Sequence, residues 1–221
     1  VGSCIALRQD NLKRLLAYST IVHLSYIVMG AALLSPLGTM GAMFHMANHG
    51  LCKITLFLCA GAIYGTYHYE NVSQMAGLGR KMPWTFCAFT IGALGLIGVP
   101  GLAGFVGKMS LIRGAWEARE VAYVLVMLGG SVFTAAYLLP VIRTGYFDPA
   151  PDAPEPPPGN MDIADDNESI VTETKDAIPA MRIPLLATTA LVIVFGFLPW
   201  ALMLQNALAE LVAHSIYGVA P

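Results

Sequence analysis

The 221-residue chain is 56% hydrophobic and only 12% charged, against about 45–50% and about 25% in an ordinary soluble domain, so a bilayer is its expected solvent. Nine of its 14 acids lie between Asp148 and Asp176, which leaves the net charge of −2 uninformative about partners. Its 12 Lys and Arg are scattered singly or in pairs, and without a basic patch a nucleic-acid partner is set aside.

Hydropathy and breaks divide the chain into six helical segments at 15–35, 40–66, 83–98, 103–117, 121–142 and 183–204. The expected fold is an all-α polytopic transmembrane helix bundle with one interrupted helix. Residues 1–146 form the main transmembrane unit, 147–182 an acidic extramembrane loop, 183–204 a C-terminal span and 205–221 a short tail. Val1 is not an initiator and no signal peptide precedes the first span, so the chain reads as a fragment of a longer protein.

The first segment carries His23 with Ser19 one turn before it. A lone histidine on an apolar helix is more often satisfied by a neighbour than functional. The second segment is richer: His45, His49 and Lys53 stand at i, i+4 and i+8, a stripe about 80° wide at about 100° per residue, with Asn48 on its border. Each such group in a span carries a desolvation penalty, about 2.5–3.5 kcal/mol for a central lysine, and is a functional candidate by default. The plainer reading is a lysine snorkelling to the interface, yet Lys53 sits near the middle of its segment, where snorkelling is hardest.

Segments 83–98 and 103–117 are too short to span comfortably and flank Val99-Pro100-Gly101. They form either a helix pair joined by a turn or one helix interrupted at Pro100. Broken helices are tolerated at membrane depth where protein or water satisfies the freed backbone, and transporters place ion sites at such breaks. Lys108 follows the break, where freed carbonyls would solvate its ammonium; the alternative is an interfacial lysine at a helix end. Glycines at 92, 95, 98, 101 and 104 are explained by close helix packing alone.

Residues 148–182 hold seven prolines and nine acids, a composition that cannot bury enough apolar surface to order itself. Asn167-Glu168-Ser169 fits a glycosylation acceptor but is too short a match to carry a function. Cys4, Cys52, Cys59 and Cys87 show no CxxC spacing, so no metal, iron–sulfur cluster or other cofactor is expected. The interiors of the six segments hold no Asp or Glu. Arg8, Lys13, Arg14, Arg80 and Lys81 share one side if the first two segments both span, and by the positive-inside rule that side is cytoplasmic.

At these residues the sequence resembles the proton-conducting membrane transporter family: the antiporter-like subunits of NADH:quinone oxidoreductase, the large D-type subunits of Mrp Na+/H+ antiporters, and hydrogenase-linked relatives. The resemblance rests on Leu12-Lys13-Arg14-Leu15-Leu16-Ala17-Tyr18-Ser19, on Phe44-His45-Met46-Ala47-Asn48-His49-Gly50-Leu51-Cys52-Lys53, and on Gly77-Leu78-Gly79-Arg80-Lys81-Met82-Pro83 leading to Gly98-Val99-Pro100-Gly101-Leu102-Ala103-Gly104-Phe105-Val106-Gly107-Lys108. It covers roughly residues 8–146 in the order of the family's C-terminal half, with a leaning toward Mrp D-type and hydrogenase-associated members. It implies that Lys53 is a central lysine of a proton path, with His45 and His49 in the same hydrophilic axis, and that Lys108 ends the half-channel in a discontinuous helix. Asn11 stands where the family commonly has Asp, and the acidic insert has no counterpart.

The expected function is therefore proton translocation along Lys53, His49, His45, Lys108 and His23, inside a respiratory complex I-like or Mrp-like assembly. The chain is not catalytic by itself. Its expected partners are other membrane subunits, the missing N-terminal half of the same subunit, the lipid bilayer, and H+ with Na+ as the alternative cargo. The expected location is a bacterial inner membrane. The competing readings are a Na+/H+ antiporter subunit, a non-conducting membrane scaffold, and a quinone-binding redox enzyme.

Overall fold

A computed structural model of the chain describes residues 1–149, 176–177 and 179–197, with isolated positions 207, 210, 211, 214 and 215. These residues form eight α-helices: α1 (Gly2–Ala6), α2 (Leu12–Ala32), α3 (Pro36–Tyr67), α4 (Leu78–Lys81), α5 (Pro83–Ile97), α6 (Ala103–Glu117), α7 (Val121–Phe147) and α8 (Pro179–Phe197), with a 3-10 turn at Val72–Met75. The fold is an all-α bundle, and all six expected segments are present. The short α1, α4 and 3-10 turn were not foreseen. Most of the acidic loop, the Asn167-Glu168-Ser169 acceptor, positions 198–204 and most of the tail lie outside the described residues.

Helix starts differ from expectation where capping decides them. Asn11 caps α2, its side chain accepting the Arg14 N–H at 3.1 Å, a role Asn fills as well as Asp. Ser35-Pro36, read as a break, is a helix start: Ser35 accepts from the Gly38 N–H and Pro36 sits in the first turn, where its missing N–H leaves nothing unsatisfied.

Large apolar side chains cover the outer surface, while the interior holds buried polar side chains beside an apolar core that includes Leu16, Leu56, Phe86 and Phe89. Ile21, Leu24, Val28, Met43, Ile54, Leu125 and Val132 are exposed, whereas Ser19, His23, His45, His49, Lys53, Lys108 and Thr134 are buried. That arrangement suits a hydrocarbon solvent, which exerts no hydrophobic force on the outer surface. Helices α2, α3, α7 and residues 180–197 of α8 are long and apolar enough to cross a membrane. Trp84 and Trp116, at the outer ends of α5 and α6, are 58% and 67% exposed, as expected of interfacial aromatic belts.

Helices α5 and α6 together make one interrupted crossing rather than a returning pair. Helix α5 runs along the C-terminal half of α3, where the Cys59 thiol donates to the Thr85 carbonyl at 3.3 Å and a Cβ on Gly92 would touch Leu56 at 3.3 Å. Helix α6 continues along the N-terminal half: Gly107 packs on the His45 backbone, Gly41 on Leu111, and Gly114 on Gly38. A Cβ on Gly104 would lie 1.9 Å from the Gly95 carbonyl oxygen, so the two half-helices meet only because that position is glycine. The small residues thus do serve packing, at the break.

The basic residues segregate. The α2 start, the α3 end and the 3-10 turn are tied together by Leu12 N–H to Glu70 O at 2.9 Å and Val72 N–H to Asp10 O at 2.7 Å. The Gly77 N–H reaches Thr144 O on α7 at 3.2 Å, which places Arg8, Lys13, Arg14, Arg80, Lys81 and Arg143 at one end of the bundle. Arg113 and Arg119 lie at the other, near the end of α6.

Candidate functional site

Lys53 reaches from α3 to α2, where its Nζ donates to the Leu16 carbonyl oxygen at 2.6 Å and to the Ser19 hydroxyl. Lys108 reaches from α6 across the break, donating to the Ile97 carbonyl oxygen at 2.8 Å and to Ser131 Oγ on α7 at 3.0 Å. Each lysine is only 6% exposed. The two cradles are alike: one backbone carbonyl and one serine hydroxyl, both neutral. The ion pairs among the described residues, Lys13–Glu70 and Arg143–Asp148, involve exposed partners and neither buried lysine.

The break supplies the carbonyl of the second cradle. Gly98 ends α5 with φ +93°, a left-handed conformation that suits glycine. The chain then turns away before residue 101 could bond back to Ile97. Among the described residues no backbone N–H donates to the Ile97 oxygen, and Lys108 takes its place.

Helices α2 and α3 also carry three buried histidine rings that stack on one another. His23 on α2 stacks on His45 and His49 of α3 with centroids 5.3 and 5.0 Å away, and His23 Nδ1 lies 3.2 Å from His45 Nε2. One of those two nitrogens donates and the other accepts, so the tautomers of the pair are linked. Tyr26, one turn after His23, meets the His23 ring edge-on at 5.6 Å. His23 Nε2, His45 Nδ1, His49 Nε2 and the Tyr26 hydroxyl are buried with no partner among the described residues. The rings stack instead of converging, and no group of three potential metal ligands gathers among the described residues.

All five residues singled out from sequence (Lys53, His49, His45, Lys108 and His23) are buried, and the three histidines stack on one another. His23, the weakest of them on sequence grounds, touches both other histidines. Ser131, Tyr26, Thr134 and Tyr137 were missed. Their signal was present: Ser19, His23 and Tyr26 follow a helical stripe on α2, and Ser131, Thr134 and Tyr137 recur every third residue on α7.

An all-α membrane bundle with a polar interior, an interrupted helix and lysines lodged in neutral cradles is the architecture of an antiporter-like membrane subunit. The chain belongs to the NADH:quinone oxidoreductase/Mrp antiporter transmembrane family, whose model matches residues 1–134. It is similar to NADH-quinone oxidoreductase subunit N of Desulforudis audaxviator, 38% identical over 150 residues, covering 68% of this chain and 30% of that protein. It is likewise similar to NAD(P)H-quinone oxidoreductase chain 4 of Trichormus variabilis, 36% identical over 152 residues, covering 66% and 28%. The chain thus matches under a third of the length of either relative.

Among solved structures, the Mrp complex from Dietzia superposes with a TM-score of 0.76 at 27% identity, covering 96% of this chain and 44% of that one. A chain of respiratory complex I from Thermus thermophilus superposes at 0.78 with 23% identity, covering 96% and 41%, a likeness of fold.

Proposed function

We propose that this chain forms the C-terminal half-channel of a proton-translocating, antiporter-like subunit, with Lys53, His49, His45, His23 and Lys108 as its relay. The observation that carries the reading is the pair of buried lysines held by neutral acceptors, in a bundle that also buries three stacked histidines. A carboxylate partner would lock an ammonium in its charged form, whereas a carbonyl and a hydroxyl hold it without a counter-charge and let it release its proton. A serine hydroxyl also suits both states, accepting from the ammonium and donating to the amine.

Protons then move by exchange. The His23–His45 pair takes a proton at one outer ring nitrogen and delivers another from the opposite end, each ring swapping tautomer as it does. The unpartnered outer nitrogens are where water would join the pair to His49 and the lysines. An axis lined by cations and neutral groups favours H+ over Na+ as cargo. The Mrp antiporter branch of the family and the likeness to the Dietzia Mrp complex support sodium/proton antiport as the second reading.

The neighbouring structures are multisubunit membrane complexes, which supports other membrane subunits, and an N-terminal half of this one, as partners. The end bearing Arg8, Lys13, Arg14, Arg80, Lys81 and Arg143 faces the cytoplasm by the positive-inside rule, in a bacterial inner membrane. The test is Lys53→Met and Lys108→Met in the full-length subunit within its complex. Both variants assemble normally and lose most proton translocation; wild-type stoichiometry in both would refute the relay.

A further inference from the structure

Tyr26 touches both members of the hydrogen-bonded histidine pair. Its ring meets His23 at 5.6 Å with 82° between the planes, and His45 at 6.0 Å with 58° between them. It is 4% exposed and packs in an apolar cluster with Val22, Ala42, Leu111 and Met127, drawn from four helices.

The Tyr26 hydroxyl is buried with no partner among the described residues, an arrangement that costs free energy. The reason for keeping the oxygen lies on α7. A Cβ on Gly130 would fall 1.6 Å from the Tyr26 hydroxyl oxygen and 2.8 Å from its Cζ, so the oxygen occupies the place of a missing methyl. The phenol is as long as the gap between the histidines and the α7 backbone.

Histidine rings need such a support. The last torsion of a histidine side chain has a broad, roughly two-fold well, so packing decides how the ring sits. His45 and His49 lie nearly parallel to His23, and Tyr26 is the contacting ring that stands across it. Half a turn of the His23 ring would put a carbon in place of Nδ1 at its 3.2 Å contact with His45 Nε2 and cut the pair.

Resting on the relay reading, we propose that Tyr26 is a positioning residue for the relay: seated on Gly130, its ring holds His23 and His45 in hydrogen-bond register, and its hydroxyl is a spacer that carries no proton.

The spacer can be moved from one helix to the other. In the full-length subunit within its complex, Gly130→Ala pushes the Tyr26 ring toward the histidines. The proton translocation rate per assembled complex then falls by about tenfold to about 100-fold, the scale for a working group displaced by about 1 Å. Tyr26→Phe leaves a void the size of the oxygen and lowers the rate by less. In the double variant the added methyl fills the space of the lost oxygen, and most of the wild-type rate returns, a non-additivity expected only of residues in contact. Gly130→Ala combined with Tyr26→Leu, which removes the clash and the ring together, stays slow. A purely structural role would change the amount or the melting of the complex and leave the rate per complex unmoved.

A Gly130→Ala, Tyr26→Phe variant no faster than Gly130→Ala would make the hydroxyl itself the working group and overturn the proposal, as would a wild-type rate in Gly130→Ala. Where Gly130→Ala alone fails to assemble, the two double variants carry the test: the one with Tyr26→Phe is fast and the one with Tyr26→Leu slow, and equal rates overturn it. Lys53→Met measured alongside keeps the readings apart. A dead Lys53→Met beside unaffected Gly130 and Tyr26 variants removes only the positioning role, whereas a Lys53→Met that pumps normally removes the relay on which it rests.

Discussion

The two lysine cradles use the same chemistry and obtain it differently. Lys53 sits in a continuous helix and borrows the Leu16 carbonyl, which already accepts from the Thr20 hydroxyl at 3.1 Å inside the intact α2. Lys108 sits beside a broken helix and uses the Ile97 carbonyl, which accepts no backbone N–H among the described residues. An interrupted helix therefore provides an unshared acceptor at membrane depth, while an unbroken one must lean on side chains such as Ser19.

That difference is sharpened first by attacking the break. Gly104→Ala sets a methyl 1.9 Å from the Gly95 carbonyl oxygen, and overpacking of that kind destabilises by about 1–3 kcal/mol or more. Thermal unfolding of the purified complex should show it, together with loss of the Lys108 cradle. Gly98→Ala is milder: φ of +93° disfavours a side chain by about 1–2 kcal/mol, and its methyl would meet Lys108 Cδ at 3.0 Å. Proton translocation should fall while the complex still assembles.

Next in size, Ser19→Ala should slow translocation by about tenfold, because Lys53 keeps only a shared carbonyl. Ser131→Ala should do less, because Lys108 retains an acceptor of its own. Equal effects, read from initial rates in membrane vesicles, would show that the break contributes nothing special. The smallest effect concerns Asp176, which belongs to the acidic stretch but accepts from the Trp84 N–H at 3.0 Å and the Thr85 hydroxyl at 2.6 Å, capping α5 from a distant part of the chain. Asp176→Ala should lower stability by about 1 kcal/mol, whereas deleting 150–174 should leave transport largely intact.

The sequence was most legible where periodicity and cost coincide. The His45, His49, Lys53 stripe and the six helical segments follow from hydropathy and spacing, because a charge in a span is rare enough to stand out. Hydroxyls do not stand out: Ser and Thr are common in membrane helices and satisfy themselves by bonding back to their own helix, as Ser131 does with the Met127 oxygen at 3.1 Å. The every-third-residue spacing of Ser131, Thr134 and Tyr137 therefore carried no weight in the sequence until α7 was packed in the bundle. The choice between a helix pair and an interrupted helix likewise rested on which half of α3 each piece covers, a long-range fact that local composition does not carry. Asp176 was hidden by its neighbours, since eight other acids of the same stretch made it look like part of a solvated loop.

The central claim is that Lys53 works by exchanging its proton, and the paired variants Lys53→Met and Lys53→Arg test it most directly. Methionine keeps length and apolar packing but holds no proton; arginine keeps the charge but does not release it. Proton uptake per electron, or per sodium ion, should be lost in both variants of the assembled complex. Wild-type stoichiometry in both would make Lys53 structural, and activity in Lys53→Arg alone would reduce its role to a fixed positive field, contradicting the relay.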